Sequence, residues 1–136
     1  MLPKDIVDQM MSKDAFSKWL GIKILAVEEG YCKLEMTTRE EMVNGFGILH
    51  GGITYSLADS ALAFASNSRG NHAVSIDTQI SHLKKVGVNE KLTATSREIS
   101  SSKSVGVYQI EITNSESVLV ALFKGTVFRM NKEWGD

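Results

Sequence analysis

Apolar residues recur along this chain with two different periods. Between positions 4 and 20, Ile6, Met10, Phe16 and Leu20 stand among polar residues, the spacing of one or two short amphipathic helices that Gly21 would stop. From Ile22 to Val27 and from Tyr31 to Thr37 two extended runs flank Glu29-Gly30, and in the second Cys32, Leu34 and Met36 alternate with Lys33, Glu35 and Thr37. That alternation predicts a hairpin with one wet face. In ITYSLADSALAFASNS, Ile53, Leu57, Ala61 and Phe64 mark one helical face, while Leu49, Ala58, Leu62 and Ala65 mark another. A helix apolar nearly all round belongs inside something. Four further runs, Ala73 to Leu83, Lys91 to Ile99, Val105 to Asn114 and Val118 to Met130, are rich in Val, Ile, Thr, Phe and Tyr. They read as consecutive antiparallel strands. The expected fold class is α+β, with an antiparallel sheet of about five to six strands wrapped round one long central helix and a short N-terminal helical segment. Residues 1–20 would form the helical cover and residues 21–136 the main body of a single domain.

The length supports that picture, since 136 residues suit one hydrophobic core. Charge narrows the partners. Fifteen Lys and Arg against sixteen Asp and Glu leave a net charge of −1, so no global basic field draws the chain to nucleic acid or anionic membrane. Any anionic ligand must be gripped locally. A single cysteine, three histidines and no CxxC give neither an internal disulfide nor a four-ligand zinc set, and fit a reducing compartment. The start MLPKDIVDQMMSKDAF mixes acids with apolar residues, unlike a secretory signal, and no apolar run approaches the ~18 residues of a membrane span. A cytoplasmic protein is expected.

Two features carry candidate chemistry. Asp59 lies in the apolar helix, where positions three and four away are Tyr55, Ser56, Leu62 and Ala63, with no cation among them. An unpaired buried carboxylate costs several kcal/mol, so Asp59 either occupies a narrow solvent-facing stripe or lines a cleft as a base or nucleophile. The second feature is His50-Gly51-Gly52, at the start of that helix. Glycines there permit a tight turn, and they also let a ligand approach first-turn N–H groups that favour an oxyanion. Gly51 and Asp59 are eight positions apart, about 12 Å along a helix at 1.5 Å per residue. One carbonyl cannot touch both in the same chain. If both act on it, they come from two subunits related by a two-fold axis, which suggests a dimer with shared sites.

NGFGILHGGITYSLAD, continued by GVYQIEITNSESVLVALFKGT, resembles the hotdog-fold acyl-CoA thioesterases, specifically the PaaI-type, phenylacetyl-CoA thioesterase-like branch, over roughly residues 20 to 130. The resemblance implies a long helix wrapped by an antiparallel sheet, a homodimer assembled into a dimer of dimers, and an acyl-CoA substrate with no separate cofactor and no metal. Carried over by position, it makes Asp59 the catalytic carboxylate and the Gly51 N–H the group that polarises the thioester carbonyl. Asn44 and His50 match loop positions that shape the oxyanion site, and Ser75 matches a hydroxyl that helps to place water. The family tends to follow the post-helix strand with a basic residue and then Pro, whereas here the stretch is Leu83-Lys84-Lys85-Val86. Lys84, Lys85 and, on the SSSKS turn, Lys103 are the candidate ligands of the CoA phosphates, because a neutral protein needs local cations for them.

The implied activity is hydrolysis of an aromatic, phenylacetyl-like, or medium-chain acyl-CoA. Phe46, Ile53 and Tyr55 are expected to set the depth of the acyl pocket. A hydroxyacyl-thioester dehydratase is the alternative enzyme, but it usually shows a Pro-rich loop, and this chain has one proline, Pro3. A non-catalytic acyl-CoA-binding protein would normally carry an additional partner domain, for which residues 1–20 are too short.

Overall fold

The computed structural model describes residues 1–135; the last position of the expected 21–136 body lies outside the described residues. Helices α1 (Pro3–Ser12) and α2 (Ala15–Leu20) precede the hairpin β1 (Lys23–Glu28) and β2 (Tyr31–Thr37). A 3-10 turn at Glu40–Met42 leads through a loop to α3 (Gly51–Asn67). Strands β3 (Asn71–His82), β4 (Lys91–Ser101), β5 (Val105–Thr113) and β6 (Leu119–Glu133) follow. The six strands make one sheet in the order β1-β2-β4-β5-β6-β3, with every neighbouring pair antiparallel.

The sheet curls round α3 because both elements have apolar faces that only each other can cover. Cys32, Leu34 and Met36 of β2, Leu92 and Ala94 of β4, and Ile110 and Ile112 of β5 are buried against Leu57, Ala58, Ala61, Leu62, Phe64 and Ala65 of the helix. Each large side chain so buried contributes roughly 1.5–3 kcal/mol. Close approach of helix and sheet requires Gly125 on β6, where an added Cβ would lie 2.5 Å from Leu62 Cδ2 and 3.1 Å from Phe123 Cε1.

The N-terminal cover is two helices, and its apolar positions differ from expectation at Phe16. Ile6, Val7 and Leu20 are buried, but Phe16 is exposed. The break at Lys13 and Asp14 resets the helical phase, so Phe16 turns outward and stacks on Trp19 at 6.1 Å. Asp14 caps α2, its Oδ1 accepting from Ser17 N–H at 2.9 Å. Its other oxygen accepts from the Ser17 hydroxyl at 2.6 Å. The Ser17 proton being used there, the Ser60 hydroxyl donates to Ser17 Oγ at 2.8 Å, which ties the cover to α3 beside Asp59.

Strand β6 runs to Glu133, beyond the expected end at Met130, because backbone pairing with β3 continues to Asn71 opposite Glu133 after the apolar pattern stops. Among the described residues β3 has no neighbour on its other side in the sheet. It carries exposed Val74 and Ile76.

Candidate active site

The loop before α3 is built by Asn44. Its Oδ1 accepts from Phe46 N–H at 2.9 Å and from Ile48 N–H at 3.1 Å, and its own N–H donates to the Ile48 carbonyl at 2.8 Å. His50 occupies the N-cap position with extended backbone, and its exposed side chain makes no capping bond. Its N–H donates to Met42 O, and its carbonyl accepts from Ile53 N–H, both at 3.0 Å. The N–H groups of Gly51 and Gly52 have no backbone partner among the described residues. They form the positive end of a 17-residue helix.

Gly51 opens on a cavity of about 330 Å³ lined also by Thr54, His82, Lys84, Lys85 and Val86. The strand-following segment stands against the loop through Leu49 N–H donating to Val86 O at 2.8 Å. Lys85, for which the resemblance leads to an expectation of Pro, precedes a residue whose carbonyl is held by the loop.

Asp59 faces a different cavity of about 270 Å³, shared with Leu62, Ser66, Ser75 and Val127. The carboxylate is half-buried and makes no hydrogen bond or ion pair among the described residues. Burial, and secondarily the charge of Asp14, raise its pKa above the usual carboxylate range. A carboxylate whose charged form is disfavoured in this way is a stronger base than a solvated one.

The eight expected site residues thus fall into groups. Gly51, Lys84 and Lys85 meet at one cavity, with Asn44 and His50 framing the loop beside it; Asp59 and Ser75 meet at another. Lys103 lines a third hollow of about 200 Å³ with Asn71, Phe128 and Arg129. Of the pocket-depth residues, Tyr55 is bound to Thr78 Oγ1 at 2.5 Å and Ile53 is half-buried, whereas Phe46 is 89% exposed in the protomer.

Two residues beside these groups were not anticipated, His82 and Asp14. The alternation of β3 carries a signal for the first, since Thr78 and Ile80 face the helix and His82 continues their face. The second acts across the break between α1 and α2, where no local pattern points to α3.

A single long helix inside a curled antiparallel sheet, with free amides at its start and a carboxylate two turns on, defines a hotdog fold with a candidate site on its helix. Residues 46–121 match the family model described as the Thioesterase superfamily. Acyl-coenzyme A thioesterase PaaI of Escherichia coli is 41% identical over 121 residues, 89% of this chain and 86% of that protein. The solved structure of Escherichia coli PaaI, from the phenylacetic acid degradation operon, superposes with a TM-score of 0.94 at 38% identity, covering 96% of this chain and 95% of that one. A mutant of the phenylacetic acid degradation protein PaaI from Thermus thermophilus matches with a TM-score of 0.83 at 36% identity, covering 86% of this chain and 100% of that one. This chain belongs to the thioesterase superfamily, and its likeness is to the PaaI branch.

Proposed function

We propose that the protein hydrolyses acyl-CoA to the free acid and CoA, with an aromatic, phenylacetyl-like, or medium-chain acyl group, in sites shared by two protomers. The observation that carries this reading is that Gly51 and Asp59 stand on one rigid helix yet open on separate cavities. Similarity to acyl-coenzyme A thioesterase PaaI supports the acyl-CoA substrate and suggests the aromatic group.

Asp59 takes a proton from water, and the resulting hydroxide adds to the thioester carbonyl. The Gly51 N–H and the helix N-terminus hold the developing oxyanion. Collapse breaks the C–S bond, CoA leaves as thiolate, and the Asp59 proton returns to the products. Ser75, lining the same cavity as Asp59, orients the water and favours this route over direct attack by the carboxylate through a mixed anhydride. Asn44 and His50 shape the loop that receives the carbonyl. No cofactor or metal takes part in this scheme, and turnover surviving dialysis against a chelator is its expected result.

The open edge of β3 supports a homodimer made by antiparallel pairing of that strand with its copy. Such pairing would set the start of β3, beside the Lys103 hollow, near the end of the partner's β3, which leads to Lys84 and Lys85. The three lysines would then grip one nucleotide. Two such dimers would make the tetramer, and a measured mass of four chains tests it. Among the described residues no helix is long and apolar enough to cross a membrane. The free, buried Cys32 is in keeping with a reducing cytoplasm.

A panel of acyl-CoA substrates, followed by thiol release, tests the activity. Phenylacetyl-CoA or a medium-chain acyl-CoA should be turned over fastest, and no release from any member would overturn the proposal.

A further inference from the structure

His82 closes one side of the Gly51 cavity in a way that the scheme above does not use. Its ring lies so near the helix start that a Cβ on Gly51 would sit 2.8 Å from Nε2 and 3.1 Å from Cε1. Glycine at position 51 therefore makes room for an imidazole as well as for a carbonyl. The other ring nitrogen, Nδ1, stands 3.4 Å from Thr54 Oγ1. That hydroxyl has one proton, and it donates it to the Gly51 carbonyl at 3.0 Å. With that proton committed, the Thr54 oxygen faces Nδ1 as an acceptor and favours the tautomer protonated at Nδ1, which presents Nε2 as a bare acceptor. His82 and Gly51 line the same cavity, which Lys84 and Lys85 also line.

We infer that His82 is a specificity residue for the pantetheine arm of the substrate, its Nε2 accepting a hydrogen bond from the amide N–H two methylenes from the sulfur. The inference rests on the acyl-CoA reading and adds to it the ligand of one defined group. A substrate that reaches from a carbonyl at Gly51 to phosphates at Lys84 and Lys85 occupies the cavity that the imidazole also lines. Thiol esters without that amide would leave Nε2 without its partner. The same contact fixes the direction in which the thiolate departs, away from Gly51 and along the cavity.

The test uses three thioesters of one acyl group: that of CoA, that of N-acetylcysteamine, which keeps the amide, and that of ethanethiol, which lacks it. His82→Phe retains a ring over Gly51 without an acceptor, and His82→Gln restores an acceptor on a flexible chain, so that one variant remains informative if the other fails to fold. His82→Phe should lose about five- to tenfold in kcat/KM on the CoA and N-acetylcysteamine esters, the usual worth of one hydrogen bond. It should leave the ethanethiol ester within twofold of the parent, and His82→Gln should recover part of the loss. Equal losses on all three esters, or none on any, would overturn the role of His82 while leaving the thioesterase reading intact. A parent protein that hydrolyses none of the three would overturn that reading itself, and the inference with it.

Discussion

Gly51 and Asp59 share one helix but not one cavity: the first opens on the space beside Lys84 and Lys85, the second on the space beside Ser75. A 17-residue helix locked inside a sheet cannot bend to bring them together. The catalytic consequences of that separation can be measured one at a time.

Asp59→Asn should lower turnover by roughly two to four orders of magnitude, the span that loss of a general base commonly costs. Substrate binding should survive, because the carboxylate acts mainly on the transition state. Steady-state kinetics together with binding of a non-hydrolysable thioether analogue separates the two. Near-native turnover would disprove the role given to Asp59.

The same variant should be at least as stable as the parent at neutral pH. Burial raises the pKa of Asp59 in the folded chain, so folding favours the protonated form. The carboxyl imposes no penalty in acid below the ordinary carboxylate range, and stability is lost as pH climbs from that range through the raised folded value. Asn carries no such loss. Thermal melts should place Asp59→Asn level with or above the parent at pH 7, and the gap should close in acid.

The acid limb of the pH–rate profile should lie above the usual carboxylate range, since Asp59 must be ionised to act. Asp14 contributes to that elevation. Asp14→Asn keeps an oxygen to cap Ser17 N–H but removes the charge, so the limb should move to lower pH. An unmoved or rising limb would show that Asp14 does not act on Asp59.

Neutralising Lys84, Lys85 and Lys103 together should raise KM for acyl-CoA and spare small acyl thioesters that lack the nucleotide. Equal losses on both substrate types would mean that these lysines do not hold phosphates.

Two inactive variants should rescue each other if the site is shared. Asn44→Ala damages the loop, whose Phe46 and Ile48 amides it holds, and Asp59→Asn removes the acid. Co-refolding equal amounts makes about half the dimers mixed, each with one sound site of two, so activity should recover to roughly a quarter of the parent's. No recovery, with mixed dimers confirmed by mass, would place the whole site within one chain.

The fold was legible where periodicity is strong. Cys32, Leu34 and Met36 are buried as their alternation requires, and α3 buries Leu57, Ala61, Leu62 and Phe64 against the sheet, while Tyr55, Ser56, Asp59 and Ala63 form a stripe left partly open. Phe16 misled because two residues between helices change the phase, which spacing counted across the break cannot show. The carboxylate and the glycine pair were visible as departures from local rules: an acid in an apolar helix, and flexible residues at a helix start. His82 and Asp14 are ordinary in their own segments. They matter only through what β3 and α2 bring against α3, a relation set by tertiary packing.

If the proposed dimer forms along the open side of β3, catalysis is tied to abundance. A strand completed by its own copy would then make the number of working sites depend on the square of protomer concentration wherever chains are scarce. Below the dissociation constant, folded protein would accumulate without turnover, and a modest rise in expression would switch on activity out of proportion to the protein made.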